Sequence, residues 1–385
     1  MTTQPKIMTI YGTRPEAIKV AAVIKAFEAD ERFESIPVIT GQHREMLDQV
    51  NTMFGITPVE DLNIMRPGQS LNGIVSRAIT GLDELLEKHQ PDVVIVQGDT
   101  STAMAGGLAA FNRGIKVVHL EAGLRTGNID SPFPEEANRR LISPIARLHL
   151  APTSASRDNL LREGIDPETI AVAGNTVIDA LLEAITWQTQ LSDERIQAAV
   201  DANKPIILFT THRRENLGGA MENIGRAIAR LATKYTEHTI VLPAHRNPAV
   251  REAVLPQIEG FENVIVTEPL AYAEFTALMN AATLVVTDSG GVQEEAPSLG
   301  KPVLVMRENT ERPEAITAGT VKLIGTDEDR IFSEVELLLD HPAAYEAMAN
   351  ATNPYGDGHA AERTVAAVAQ LLGIGERIAD FEPEA

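Results

Sequence analysis

Two residue patterns in this chain suit chemistry on a phosphorylated ligand. The first is the run Asp288-Ser-Gly-Gly-Val-Gln-Glu-Glu295, which follows the apolar stretch 283–287 and is succeeded by Thr310-Glu-Arg312. A buried strand that turns through two glycines into a helix presents backbone N–H groups with no partner inside the helix, and these attract an anion. Gly290 and Gly291 let the backbone approach closely, the Ser289 hydroxyl adds a donor, Arg312 adds a charge, and Glu294 or Glu295 can accept from sugar hydroxyls. An ordinary strand, glycine turn and capped helix is spelled the same way, so the run needs support from elsewhere.

The second pattern is acidic. Asp99 precedes Thr100 at what reads as a helix N-cap, Glu121 ends the apolar run 117–120, and Glu135 with Glu136 opens a helix after Ser131-Pro-Phe-Pro134. Carboxylates brought together push one another's pKa values apart, so that one serves as acid while another serves as base. Cations accompany them. Arg14 and Lys19 bracket a helix start, where the helix dipole is already positive and a bound anion would relieve the conflict. His212 adjoins two arginines, beginning with Arg213, a setting better suited to phosphate contact than to a structural imidazole, and His245 follows another strand.

The elements that must position these groups alternate between short β-branched runs and helical patterns, which specifies an α/β fold with parallel sheets. One set of strands is predicted at 7–11, 36–40, 93–96, 117–120, 148–151 and 170–173, and a second at 206–210, 239–242, 264–267, 284–287, 303–306 and 321–324. The expected organisation is two Rossmann-like, doubly wound domains facing a cleft. An N-terminal domain at 1–176 carries the acids, a helical linker follows at 177–203, a phosphate-binding domain occupies 204–358, and 359–385 comprises a helix that crosses back and an acidic tail. Ligands of such sheets sit beyond the carboxyl ends of the strands, which is where the polar residues cluster.

Composition narrows the chemistry. A chain of 385 residues exceeds what one core usually serves. With no cysteine, disulfides, thiolate metal sites and cysteine nucleophiles are excluded. A net charge of −21 opposes nonspecific binding to nucleic acid or to an anionic membrane. No apolar run approaches a membrane span and the first residues lack a signal peptide's apolar core, so a cytoplasmic location is expected. Neither G-x-x-x-x-G-K-[ST] nor G-x-G-x-x-G nor H-E-x-x-H occurs, which disfavours ATP hydrolysis, tightly bound nicotinamide and that zinc-site motif.

Nine blocks, in order, resemble the non-hydrolysing bacterial UDP-N-acetylglucosamine 2-epimerases: Gly12-Thr-Arg-Pro-Glu-Ala-Ile-Lys19, Gln42-His-Arg44, Gly98-Asp-Thr100, His119-Leu-Glu-Ala-Gly-Leu-Arg125, Pro134-Glu-Glu136, His212-Arg-Arg-Glu215, the run 288–300, Thr310-Glu-Arg-Pro-Glu314 and Asn353-Pro-Tyr-Gly-Asp-Gly358. The resemblance implies a GT-B-like pair of domains that interconverts UDP-N-acetylglucosamine and UDP-N-acetylmannosamine for surface polysaccharide synthesis, with no metal or other cofactor. It also implies a homodimer and elimination of UDP to 2-acetamidoglucal followed by re-addition. Carried over by position, Asp99, Glu121, Glu135 and His212 are the catalytic set. Arg14, Lys19, Asp99, Glu121, His212, Leu270, Phe275, Ser289, Gly290, Gly291, Glu295 and Arg312 hold the UDP-sugar. A second, activating UDP-N-acetylglucosamine would use Gln42, Glu135, Arg213 and His245. The rival readings are a glycosyltransferase of the same architecture, a catalytically silent nucleotide-sugar sensor and a carboxylate-bound metal hydrolase.

Overall fold

The computed structural model describes residues 4–41, 44–66, 68–213, 216–310 and 312–383, with the side chains of 44–46 left aside. It contains two compact units, one built from Met1–Ala180 with Tyr355–Glu382 and the other from Leu181–Pro354.

The first unit has a seven-stranded parallel sheet of β1 (Lys6–Tyr11), β2 (Glu34–Ile39), β3 (Glu60–Asp61), β4 (Val93–Gln97), β5 (Lys116–Leu120), β6 (Leu148–Ala151) and β7 (Ile170–Val172), in the order β3-β2-β1-β4-β5-β6-β7. In register, Ile7 of β1 stands between Ser35 of β2 and Val93 of β4. Every residue of β4 is buried, as a central parallel strand covered on both faces requires. The core joins Met8, Ile10, Val94 and Val96 to Leu82, Leu86, Ala105 and Ala109 on the covering helices. The helix Ser101–Asn112 lies tight on the sheet because position 106 has no side chain. A Cβ on Gly106 would stand 3.2 Å from Val96 Cγ1 and 3.3 Å from Ile10 Cδ1.

Strand order reverses between β1 and β4. The chain leaves these neighbours in opposite directions, so their carboxyl-end loops part and open a crevice. The loops that follow carry Arg14 and Asp99.

The second unit repeats the scheme with β8 (Ile206–Thr210), β9 (Thr239–Pro243), β10 (Val264–Thr267), β11 (Leu284–Thr287), β12 (Val303–Val305) and β13 (Val321–Leu323), ordered β10-β9-β8-β11-β12-β13. Here the reversal falls between β8 and β11, so the loops after these strands flank the crevice. The helix Gly219–Lys234 buries Met221, Ile224, Ile228 and Leu231 at helical spacing against this sheet. Each predicted strand is present to within two residues of its expected bounds, and β3 is the strand the sequence pattern did not indicate.

The helix Ala360–Leu371 belongs to the first unit. Its first amides, those of Ala360 and Ala361, donate to the Asp179 carboxylate at 3.2 and 2.8 Å, placing an anion on a positive helix end. Burial nonetheless pushes the Asp179 carboxyl up to about 6, with these hydrogen bonds pulling the other way. Among the described residues no helix is long and apolar enough to cross a membrane.

Candidate active site

In the first unit the loop after β1 begins a helix at Arg14, with Pro15 in its first turn and Thr13 as N-cap. Glu16, in that turn, is buried. Its Oε2 accepts from the N–H groups of Gly12 at 3.0 Å and Thr13 at 2.7 Å, while Oε1 accepts from the Thr100 hydroxyl at 2.6 Å. Thr100 in turn caps the helix Ser101–Asn112 by accepting from Ala103 N. Arg14 is half-buried at the start of the helix.

Lys19, next along this helix, does not stand as an isolated cation. Its Nζ lies 2.5 Å from Glu121 Oε1, and the Gln97 side-chain amide donates to Glu121 Oε2. Glu121 has φ +62, a left-handed conformation that costs a non-glycine residue roughly 1–2 kcal/mol. The turn opposite is pinned on both sides of Gly98: its N–H donates to Leu120 O at 2.9 Å and its carbonyl accepts from His119 Nε2 at 2.7 Å. Burial holds His119 neutral by pulling its pKa down to about 4.

Asp99 has a cation of its own. Arg139 Nε and Nη2 donate to Asp99 Oδ2 at 2.9 and 2.6 Å, and Asn138 Nδ2 donates to the Asp99 carbonyl at 2.8 Å. Arg139 also meets the fully buried Glu136 at 3.1 Å. Glu135 starts the helix Glu135–Ile142 that carries Glu136, Asn138 and Arg139, and is half-buried. Asp99 and Glu121 therefore share one strand-end face, each neutralised by a partner from a different element.

In the second unit the wholly buried Asp288 organises the crevice. It accepts from the Thr211 hydroxyl at 2.9 Å, the His212 N–H at 3.0 Å, the Arg213 N–H at 2.9 Å and Asn216 Nδ2 at 3.1 Å, and His212 Nδ1 stands 3.0 Å from Oδ1. Burial alone would raise its pKa, but the His212 side chain and these amides outweigh it and hold the carboxyl below its ordinary value. The amides of His212 and Arg213 are thus engaged by the protein's own carboxylate. The His212 ring is exposed and its centroid lies 6.0 Å from that of His245. Arg213 Nε donates to the Asp288 carbonyl at 3.3 Å.

The turn after β11 leads into the short helix Gly290–Glu295, whose N-cap Ser289 makes no side-chain capping bond. Arg312 Nε donates to Glu294 Oε1 at 2.7 Å, and a Cβ on Gly290 would come within 2.6 Å of Arg312 Nη1. Of the two acids left open by the sequence, Glu294 is engaged by Arg312, and Glu295 Oε1 accepts from Tyr272 Oη at 3.2 Å. Tyr272 begins the helix Tyr272–Ala281, which also carries half-buried Phe275, and half-buried Leu270 lies just ahead of it. Gln42 lies outside the described residues.

The family model described as UDP-N-acetylglucosamine 2-epimerase matches residues 25–369. The chain belongs to the UDP-N-acetylglucosamine 2-epimerase family. It is 53% identical over 370 residues to the UDP-N-acetylglucosamine 2-epimerase of Salmonella typhimurium, an alignment covering 94% of this chain and 98% of the relative. Among solved structures, the Neisseria meningitidis UDP-GlcNAc 2-epimerase bound to UDP-GlcNAc matches with TM-score 0.83 and 48% identity over 96% of this chain and 100% of that one. The S. aureus MnaA–UDP co-structure matches with TM-score 0.86 and 45% identity over 98% and 100%.

The epimerase resemblance singles out residues expected to meet a ligand, and the structure adds residues that hydrogen-bond to several of them. Glu16, Gln97, Arg139 and Asp288 had been given no such part. Glu16 could have been flagged from Thr13-Arg-Pro-Glu16, the spacing of a capping box, although that spacing predicts only a helix start.

Proposed function

We propose that this chain interconverts UDP-N-acetylglucosamine and UDP-N-acetylmannosamine by eliminating UDP and adding it back. The observation that carries this reading is the first unit's strand-end pair, Glu121 with Lys19 and Asp99 with Arg139, in a chain whose relatives include an epimerase bound to UDP-GlcNAc.

The hydrogen on C2, the carbon that carries the acetamido group, is only weakly acidic. It is best removed while the diphosphate leaves C1 and positive character develops there. One carboxylate takes the proton, the C1–O bond breaks with its electron pair going to UDP, and a C1–C2 double bond forms, giving 2-acetamidoglucal. UDP then attacks C1 while an acid delivers a proton to the opposite face of C2. Asp99, Glu121 and Glu135 supply these acid and base groups, each contributing typically ~10²–10⁴ in rate.

UDP must stay bound between the two halves of the reaction. In this account Arg14, Lys19, His212, Ser289, Gly290, Gly291 and Arg312 hold the diphosphate, Glu295 takes the ribose, and Leu270 with Phe275 takes uracil. Closure of the protein around the ligand would keep water from the glycal. Glu135, Arg213, His245 and Gln42 would form the second nucleotide-sugar site. A homodimer serving surface polysaccharide synthesis in the cytoplasm completes the proposal.

The test is incubation of the purified protein with UDP-N-acetylglucosamine alone, followed by proton NMR. The proposal expects UDP-N-acetylmannosamine to accumulate to a fixed ratio with no free sugar. An unchanged spectrum, or sugar transfer only when an acceptor is added, contradicts it.

A further inference from the structure

We infer that Glu16 is a positioning residue: one buried carboxylate holds the loops after β1 and β4 in a single register at the crevice where the strand order of the first sheet reverses. The inference rests on the proposed epimerisation for its readout and on geometry for its content.

A capping box asks a glutamate only to reach back to the N-cap amide. Glu16 does this with Oε2, bonding Thr13 N and also Gly12 N, and the residue is 1% exposed. Its other oxygen is committed to Thr100, 84 positions away. Thr100 is itself the N-cap of the helix Ser101–Asn112. One carboxyl group therefore joins the starts of the two helices that flank the crevice.

Groups of the proposed site hang from both of those starts. Lys19 lies three residues beyond Glu16 on the same helix, with its Nζ 2.5 Å from Glu121. Asp99 immediately precedes Thr100 and is held from the other side by Arg139 at 2.6 Å. Sliding one loop past the other would alter the spacing of Lys19, Glu121 and Asp99 together. Glu16 is enclosed by its own chain, so it acts through these groups.

The experiment compares Glu16→Ala, Glu16→Gln, Thr100→Val and Thr100→Ser in the full chain, measuring kcat, KM and UDP affinity by calorimetry. A misplacement near 1 Å costs about 10²-fold in rate, so Glu16→Ala and Thr100→Val should each lose about that much kcat. UDP affinity should stay within about threefold, because the proposed UDP contacts lie mostly in the second unit. Glu16→Gln should recover to within about tenfold of the parent, since its amide oxygen can accept both N–H bonds while its NH2 donates to Thr100. Thr100→Ser should match the parent, and the double variant Glu16→Ala/Thr100→Val should be no worse than either single change.

A Glu16→Ala enzyme with unchanged kcat would overturn the inference, as would a Glu16→Gln enzyme as impaired as Glu16→Ala. If Glu16→Ala does not fold, equal kcat for Thr100→Val and Thr100→Ser overturns it. A parent protein without epimerase activity would refute the proposed function, whereas an active parent with indifferent variants would refute only the positioning role.

Discussion

His212 Nδ1 lies 3.0 Å from Asp288 Oδ1. The proton on Nδ1 is donated to the carboxylate, which leaves Nε2 as the nitrogen that can meet a ligand. Asp288 also accepts from His212 N, Arg213 N, the Thr211 hydroxyl and Asn216 Nδ2, so the loop after β8 is wrapped around one buried carboxylate from the turn after β11. Asp288→Ala strands those donors. Urea unfolding should show a loss of about 3–5 kcal/mol, and a loss below about 1 kcal/mol would show that the loop holds itself.

Arg139 gives the corresponding prediction for the acids. Its guanidinium spans Asp99 and the buried Glu136, a fork that a lysine ammonium cannot reproduce. Arg139→Lys should lower kcat by about 10²-fold through displacement of Asp99 while UDP affinity is retained. Steady-state kinetics beside calorimetry checks this. Equal loss of both would make Arg139 a general structural support.

Two glycines separate binding from folding. A methyl at position 290 first meets the tip of the Arg312 side chain, at 2.6 Å. Gly290→Ala should therefore leave stability within about 1 kcal/mol and weaken UDP binding about tenfold as Arg312 swings away. At position 123 φ is +90 and a Cβ would sit 2.2 Å from the Ser156 carbonyl. Gly123→Ala should cost about 3 kcal/mol or more in unfolding experiments. The reverse ranking in stability would contradict the packing described.

The alternation of apolar runs with helices makes both sheets legible from the sequence, because strands covered on both faces must be continuously apolar, as residues 93–96 of β4 are. Glu60–Asp61 escaped that logic: two acidic residues carry no apolar signal and pair only through their backbone beside Val38 and Ile39. The site divides in the same way. Asp99, Glu121 and His212 stand within two residues of strand ends and can be picked out by type and place. Glu16, Arg139 and Asp288 do their holding across 84, 40 and 76 positions of sequence, which no local pattern encodes. The left-handed backbone of Glu121 is equally invisible, since a glutamate carries no local signal for positive φ. Each unit ties its crevice with one buried carboxylate, Glu16 at β1 and β4 and Asp288 at β8 and β11.

Two buried groups in the first unit give opposing pH dependences. His119 is pulled down from 6.5 to about 4 by burial, so its contribution is fully present above pH 6.5 and is lost as pH falls toward 4. Asp179 is pushed up from 3.8 to about 6 by burial, so its contribution is fully present below pH 3.8 and is lost as pH rises toward 6. On moving from pH 7 to 5.5 each effect is on the order of 1 kcal/mol and of opposite sign. Relative to the parent, His119→Gln should therefore shift the response to this acidification toward greater stability, and Asp179→Asn toward lower stability. Urea unfolding at the two pH values checks both, and parallel shifts in the two variants would contradict the assignment.

Proton removal from C2 coupled to departure of UDP is the central claim, and the direct measurement is the reaction run in deuterium oxide with the product read by NMR and mass spectrometry. The account predicts UDP-N-acetylmannosamine bearing one deuterium at C2. Product that retains the original hydrogen at C2 would contradict it.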